Sequence, residues 1–235
     1  MKTILAIDTA TEACSAALMH QGTLHSRYEV APQAHTRLIL PMCQQLLDEA
    51  GITLADLDVI AFGRGPGSFT GVRIGIGIAQ GLALGTGVPL VPVSDLAMLA
   101  AGAYQRLATP LLATAVDARM GEVYFAVWHY QDGVITPLCD EAVMSPEAAV
   151  AQWQTLCAQY GEADWGFAGT GFTAYEALQT LHPAALRDSV NLPEASLIPE
   201  LLASDPARWV AVPAEEATPV YLRDKVTWKK LPGRE

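Results

Sequence analysis

Basic side chains are scarce. Lys and Arg number 14 against 25 Asp and Glu, for a formal net charge of −11 and an isoelectric point near 4.8. Holding a nucleic-acid backbone draws mainly on Lys and Arg, so any contact with RNA is expected through a partner. Cysteine is sparse as well. Cys14, Cys43, Cys139 and Cys157 stand far apart with no C-x-x-C pair, which argues against a disulfide framework or a zinc ribbon and fits a reduced, cytoplasmic setting. The five histidines, His20, His25, His35, His129 and His182, form neither H-x-x-x-H nor H-E-x-x-H. A helical two-histidine metal site is therefore excluded, and each histidine reads as a surface or turn residue. Long apolar runs are missing too. Asp8 interrupts residues 4–7 too early for a leader, and residues 74–93 carry Gln80, Thr86, Pro89, Pro92 and several glycines, so no membrane span is expected there.

What is present is enough chain for a sizeable core. At 235 residues the sequence can bury about 70% of its unfolded surface. Residues 3–10 read as a buried strand ending in a polar turn, 13–19 as a second and 24–30 as a third. Leu38, Ile39, Met42, Cys43, Leu46, Leu47 and Ala50 make one helical stripe that stops at Gly51. Strands at 57–63 and 90–93 and a helix at 95–107 complete an α/β unit.

The pattern then restarts. Ala6-Ile7-Asp8-Thr9 has a counterpart in Ala115-Val116-Asp117-Ala118, Glu12 in Glu122, and the turn His20-Gln21-Gly22 in Gln131-Asp132-Gly133. Duplication predicts two related α/β lobes, residues 1–108 and 109–217. A basic tail at 218–235, with Arg223, Lys225, Lys229, Lys230 and Arg234, is expected to pack back on the first lobe and reads as a solvated end.

Between the strand at 57–63 and the next lies the most distinctive stretch, GRGPGSFTGVRIGIGIAQG. Gly63, Gly65, Gly67 and Pro66 are turn residues, and Ser68 or Thr70 can cap a helix on which Gly77, Gly81 and Gly85 share one face. Each helical glycine costs about 1 kcal/mol against alanine, so as a helix the repeat implies that another helix packs closely there; a Gly-rich core strand, in which Ile74, Ile76 and Ile78 alternate with glycines, is the alternative. A glycine turn opening a helix can also present amides to a phosphate, making Gly65, Gly67, Ser68 and Thr70 a candidate cradle. It is not a Walker A loop, because Val72 and Arg73 follow Gly71. Asp8 and Thr9, Asp117, and Gly169 and Gly171 in the later turn sit where an actin-like or sugar-kinase-like cleft holds phosphate. A hairpin cap is the equal alternative for both aspartates. Ser68 lacks the G-x-S-x-G setting of a nucleophile. The tryptophans, Trp128, Trp153, Trp165, Trp209 and Trp228, read as core.

Four segments carry a family resemblance: Ile7-Asp8-Thr9-Ala10-Thr11-Glu12-Ala13-Cys14-Ser15, Gly63-Arg64-Gly65-Pro66-Gly67-Ser68-Phe69-Thr70-Gly71-Val72-Arg73, Asp117-Ala118-Arg119-Met120-Gly121-Glu122-Val123-Tyr124 and Pro219-Val220-Tyr221-Leu222-Arg223. Together they resemble the bacterial TsaB family, also called YeaZ. The resemblance implies a duplicated actin-like, sugar-kinase-like fold and a role in forming threonylcarbamoyladenosine at position 37 of tRNA. It implies a non-catalytic subunit that dimerises with its paralogue TsaD and is joined by TsaE, with tRNA engaged only through the complex. ATP or ADP and a metal are then expected on the partner subunits, with neither cofactor nor metal on this chain. TsaD binds its metal through H-x-x-x-H, whereas the matching stretch at residues 93–99 has no histidine. The resemblance places the TsaD interface, or a homodimer of the isolated chain, on the helices carrying Leu38, Met42 and Leu46 and Arg73, Ile74, Gly77, Ile78, Gly81 and Leu82. The alternative is a nucleotide hydrolase or phosphotransferase using Asp8 and Asp117; a protease is disfavoured.

Overall fold

A computed structural model describes residues 2–161, 165–181 and 190–223. The first sheet is built from β1 (Ile4–Asp8), β2 (Ala13–His20), β3 (Thr23–Val30), β4 (Val59–Gly63) and β5 (Leu90–Val93), in the order β3-β2-β1-β4-β5. The second holds β6 (Leu111–Arg119), β7 (Glu122–Gln131), β8 (Val134–Pro137), β9 (Ala142–Met144) and β10 (Trp165–Ala168), ordered β10-β6-β7-β8 with β9 on β7. In each, a hairpin pairs antiparallel and the next strand joins its first member in parallel, β4 on β1 and β10 on β6. The hairpin turns repeat as well. Gln21 and Gly22, and Asp132 and Gly133, all have positive φ, the backbone that matches strand twist in a tight hairpin. The sequence repeat is thus a structural one.

Helices α1 (His35–Ala50) and α2 (Phe69–Thr86) cover the outer face of the first sheet. Helix α3 (Asp95–Leu107) lies between the sheets, its buried side packed on Ala6, Val59 and Val91 from one and Leu112, Val116 and Trp128 from the other. Five small residues among its first nine positions allow that double contact; Ala97, Ala100 and Ala103 are fully buried. Helix α4 (Pro146–Tyr160) and two single turns, α5 (Gly171–Ala174) and α6 (Glu176–Gln179), cover the second sheet. Trp128 is wholly enclosed and donates Nε1–H to Thr114 Oγ1 at 2.9 Å. Trp209 is also buried, Trp153 and Trp165 pack edge to face, and Trp228 lies outside the described residues.

Several expectations change. The first helix starts at His35, and that histidine is buried, its Nε2 2.8 Å from the Thr11 carbonyl oxygen. Pro41 sits inside α1, on its exposed side. After the second glycine turn, where a helix over 174–181 is expected from the sequence, the extended backbone of Tyr175 separates α5 from α6. Residues 195–217, assigned to the second lobe, lie largely against the first: Ala195 N donates to Ser15 Oγ at 3.0 Å, and Val212 bridges Leu90 on β5. Gln80 Nε2 donates to the carbonyls of Ala214 and Ala217 at 3.0 and 3.1 Å. Helix α7 (Ile198–Ser204) belongs to this returning segment. The tail's first residues touch both lobes. Val220 N donates to Arg64 O at 3.0 Å, while Arg223 Nε donates to Glu122 at 3.1 Å; Lys225, Lys229, Lys230 and Arg234 lie outside the described residues.

Candidate functional site

The glycine turn enters α2 through Ser68, whose Oγ caps the helix by accepting from Gly71 N. Three of its amides are used within the chain. Arg64 N donates to Val93 O at 2.8 Å, Gly65 N to Asp95 Oδ2 at 2.6 Å and Ser68 N to Ala10 O at 2.7 Å. A methyl group at Gly67 would collide with the same Ala10 carbonyl. The β1–β2 turn therefore fills the concavity that a phosphate cradle would leave open. Thr9 is buried and donates its hydroxyl to Gly71 O at 2.7 Å. Gly65, Gly67, Ser68 and Thr9 lie together here as packing and capping groups.

Asp8 and Asp117 hold equivalent strand ends in unlike settings. Asp8 is buried and faces Asp95 at the start of α3. Asp117 accepts from Tyr175 Oη at 2.8 Å, from Arg119 N at 2.8 Å and from Arg119 Nη1 at 3.0 Å. Its own amide donates to Thr170 Oγ1, and a methyl group at Gly171 would press on Ala115. Gly169 has φ of 107° and lies against the Ala115 carbonyl, so the second glycine turn, like the first, is packed down on its lobe's first strand. Arg119, Met120 and Gly121 all have positive φ in the β6–β7 turn, clasped by Arg223 against Arg119 O and Glu122. Among the described residues, no three His, Cys, Asp or Glu side chains form a group that could hold a metal ion.

Open space lies elsewhere. A crevice of about 280 Å³ is lined by Arg64, Cys139, Glu141 and Arg208 among others. Arg64 Nη2 lies 3.1 Å from Glu141 Oε2. None of the candidate phosphate residues borders it.

The α2 surface is different in kind. Gly77, Gly81 and Gly85 are exposed, and among the described residues a methyl group at any of them would meet nothing beyond the helix's own adjacent backbone within 4 Å. Ile74, Ile78 and Leu82 beside them are half-buried, Leu84 is 73% exposed, and no charged residue occurs from Ile74 to Thr86. At the helix start Arg73 stacks over Phe69, 3.5 Å from the ring centroid, and its Nε donates to Tyr221 Oη at 2.7 Å. On α1 the expected interface divides. Leu38 is half-buried, but Leu46 is wholly buried and Met42 nearly so; both belong to the chain's own core with Ile60 and Phe62, because their stripe faces the sheet. Leu40, 46% exposed, is the apolar α1 residue that faces outward and was missed. Sequence pattern could have found it, since it falls off the core stripe.

The profile of the family described as TsaD: tRNA N6-adenosine threonylcarbamoyltransferase matches residues 14–230. Over 241 aligned residues the chain is 45% identical to the tRNA threonylcarbamoyladenosine biosynthesis protein TsaB of Escherichia coli, covering 99% of each. The chain belongs to the TsaB (YeaZ) family. The corresponding TsaB of Haemophilus influenzae is 40% identical over 247 residues, covering 99% of this chain and 98% of that one. A crystal structure described as YeaZ from Pseudomonas aeruginosa superposes with a TM-score of 0.81 at 44% identity, covering 94% of this chain and all of that chain. The repeated sheets are the duplicated actin-like, sugar-kinase-like fold that this family implies.

Proposed function

We propose that this chain is the non-catalytic, dimerising subunit of the complex that forms threonylcarbamoyladenosine at position 37 of tRNA. It binds TsaD, is joined by TsaE, and reaches tRNA through that complex; ATP or ADP and the metal belong to the partners. One observation carries the reading: the exposed glycine face of α2. Three glycines in the body of a helix cost about 1 kcal/mol each against alanine, and nothing among the described residues uses the space that Gly77, Gly81 and Gly85 leave. A helix from another subunit can approach closely there, with Ile74, Ile78, Leu82 and Leu84 supplying apolar contact and Arg73, Phe69 and Tyr221 a rim. The packed glycine turns and engaged aspartates support the same reading, because the alternative, intrinsic phosphotransfer, needs those groups free. In the absence of TsaD the same face is expected to pair two copies of this chain.

The test is light scattering of the purified chain with and without TsaD. A heterodimer replacing a homodimer is expected; two species that never combine would reject the assignment.

A further inference from the structure

Two carboxyl groups fasten the glycine turn, and no base neutralises them. Asp8 ends β1 and Asp95 begins α3; they are 1% and 0% exposed. Both extend over Gly63, where a methyl group would lie 2.9 Å from Asp95 Oδ1 and collide with Asp8 Oδ1. Each receives one backbone amide, Ala10 N on Asp8 Oδ1 at 3.0 Å and Gly65 N on Asp95 Oδ2 at 2.6 Å. Among the described residues Asp8 Oδ2 and Asp95 Oδ1 have no hydrogen-bond partner, although the two side chains are within reach of one another. Facing carboxylates have no hydrogen to donate, and two like charges in a dry site do not both ionise. A single proton supplies the missing donor and removes the repulsion.

The neighbouring groups do not replace it. His35 on α1 favours the charged form of Asp8, but its Nε2 is directed at the carbonyls of Thr11 and Ala13. Arg64 favours the charged form of Asp95, but it is bridged to Glu141. Cys14 on β2 and Tyr28 on β3 experience the charge of Asp8 without neutralising it. Burial pushes both carboxyls up, and the charge of Asp8 pushes Asp95 further.

We propose that Asp8 and Asp95 share one proton at neutral pH, carried by Asp95 and donated to Asp8, and that this acid pair latches the β1–β2 turn, the glycine turn and α3 together. Asp8 is then a structural acceptor, committed within the fold and unavailable to a phosphate. An acid with a raised folded-state pKa contributes stability that is complete below its unfolded value and is lost as pH rises through the folded one. The latch therefore weakens toward alkaline pH, by about tenfold in the folding equilibrium for each unit that separates folded from unfolded pKa.

The full chain is unfolded in urea from mildly acidic to mildly alkaline pH, alongside Asp95→Asn and Asp95→Ala. The amide of Asn donates without titrating, so Asp95→Asn should keep the wild-type midpoint at low pH and hold it as pH rises. Asp95→Ala, with no donor, should lose stability throughout. Equal losses in both variants, or wild-type pH dependence in Asp95→Asn, overturn the proposal. Infrared spectroscopy of the unmodified protein needs no variant to fold: a protonated-carboxyl band at neutral pH supports the shared proton, and its absence overturns it. A magnesium-induced rise in the wild-type midpoint that Asp95→Asn lacks would assign the pair to a cation instead, and also overturns it.

Discussion

The hydroxyl of Thr9 donates to the carbonyl oxygen of Gly71 at 2.7 Å, and the same hydroxyl oxygen would lie 2.7 Å from a methyl group at Gly75. The glycines of α2 thus fall on two faces with different work. Gly71 and Gly75 face inward, where the β1–β2 turn occupies the space of a side chain. Gly77, Gly81 and Gly85 face outward, with no described side chain over them. Alanine should separate them. Gly75→Ala should destabilise by about 1–3 kcal/mol through overpacking, whereas Gly77→Ala should stabilise the monomer, diluted until copies no longer pair, by about 0.5–1 kcal/mol through helix propensity. Urea unfolding of the two variants gives opposite signs.

Association should divide the same helices differently. Gly81→Leu fills the outward groove, so its affinity for TsaD should fall about tenfold or more, or about 1.4 kcal/mol, with little change in the unfolding of the dilute monomer. Leu46→Ala should do the reverse. Leu46 is fully enclosed beneath α1, and its truncation should cost about 2–5 kcal/mol of stability without removing an outward contact. Cys157→Ser, on the far side of the second sheet, should leave association unchanged. Calorimetric titration with TsaD, beside denaturation curves, reads both quantities; normal binding by folded Gly81→Leu would remove α2 from the interface.

Thiol chemistry offers a test of the core. Burial pushes Cys14 up to about 11 and Cys43 up to about 12. Thiolate is the reactive form, so neither should be alkylated by iodoacetamide at neutral pH while the chain is folded. Both should react once urea opens the α1 core, and folded-state labelling should rise only toward strongly alkaline pH. Mass spectrometry of the labelled protein counts the modified sites.

Much of this fold was legible because local and global signals agree. Asp8, Glu12 and Gln21-Gly22 recur as Asp117, Glu122 and Asp132-Gly133, and each set occupies the same turns of a repeated hairpin. The glycine helix was legible from Ser68 and the spacing after it. Side-chain direction was less so. The α1 stripe marks which residues are apolar, and periodicity alone does not say whether they meet a sheet or a partner, so Met42 and Leu46 were placed outward. Asp95 was read only as part of a helix start, because its partner Asp8 is far away in sequence and meets it only when β1 and β4 pair. Tyr221 and Tyr175 were missed for the same reason: each acts on a residue, Arg73 or Asp117, that only tertiary structure brings near.

The most direct measurement is threonylcarbamoyl transfer to a tRNA that reads codons beginning with A, reconstituted from TsaD, TsaE and the adenylate-forming enzyme, with and without this chain. Product that needs both this chain and TsaD, and that falls when Gly81→Leu replaces the natural chain, is the predicted result. Product formed equally well without the chain would contradict the account.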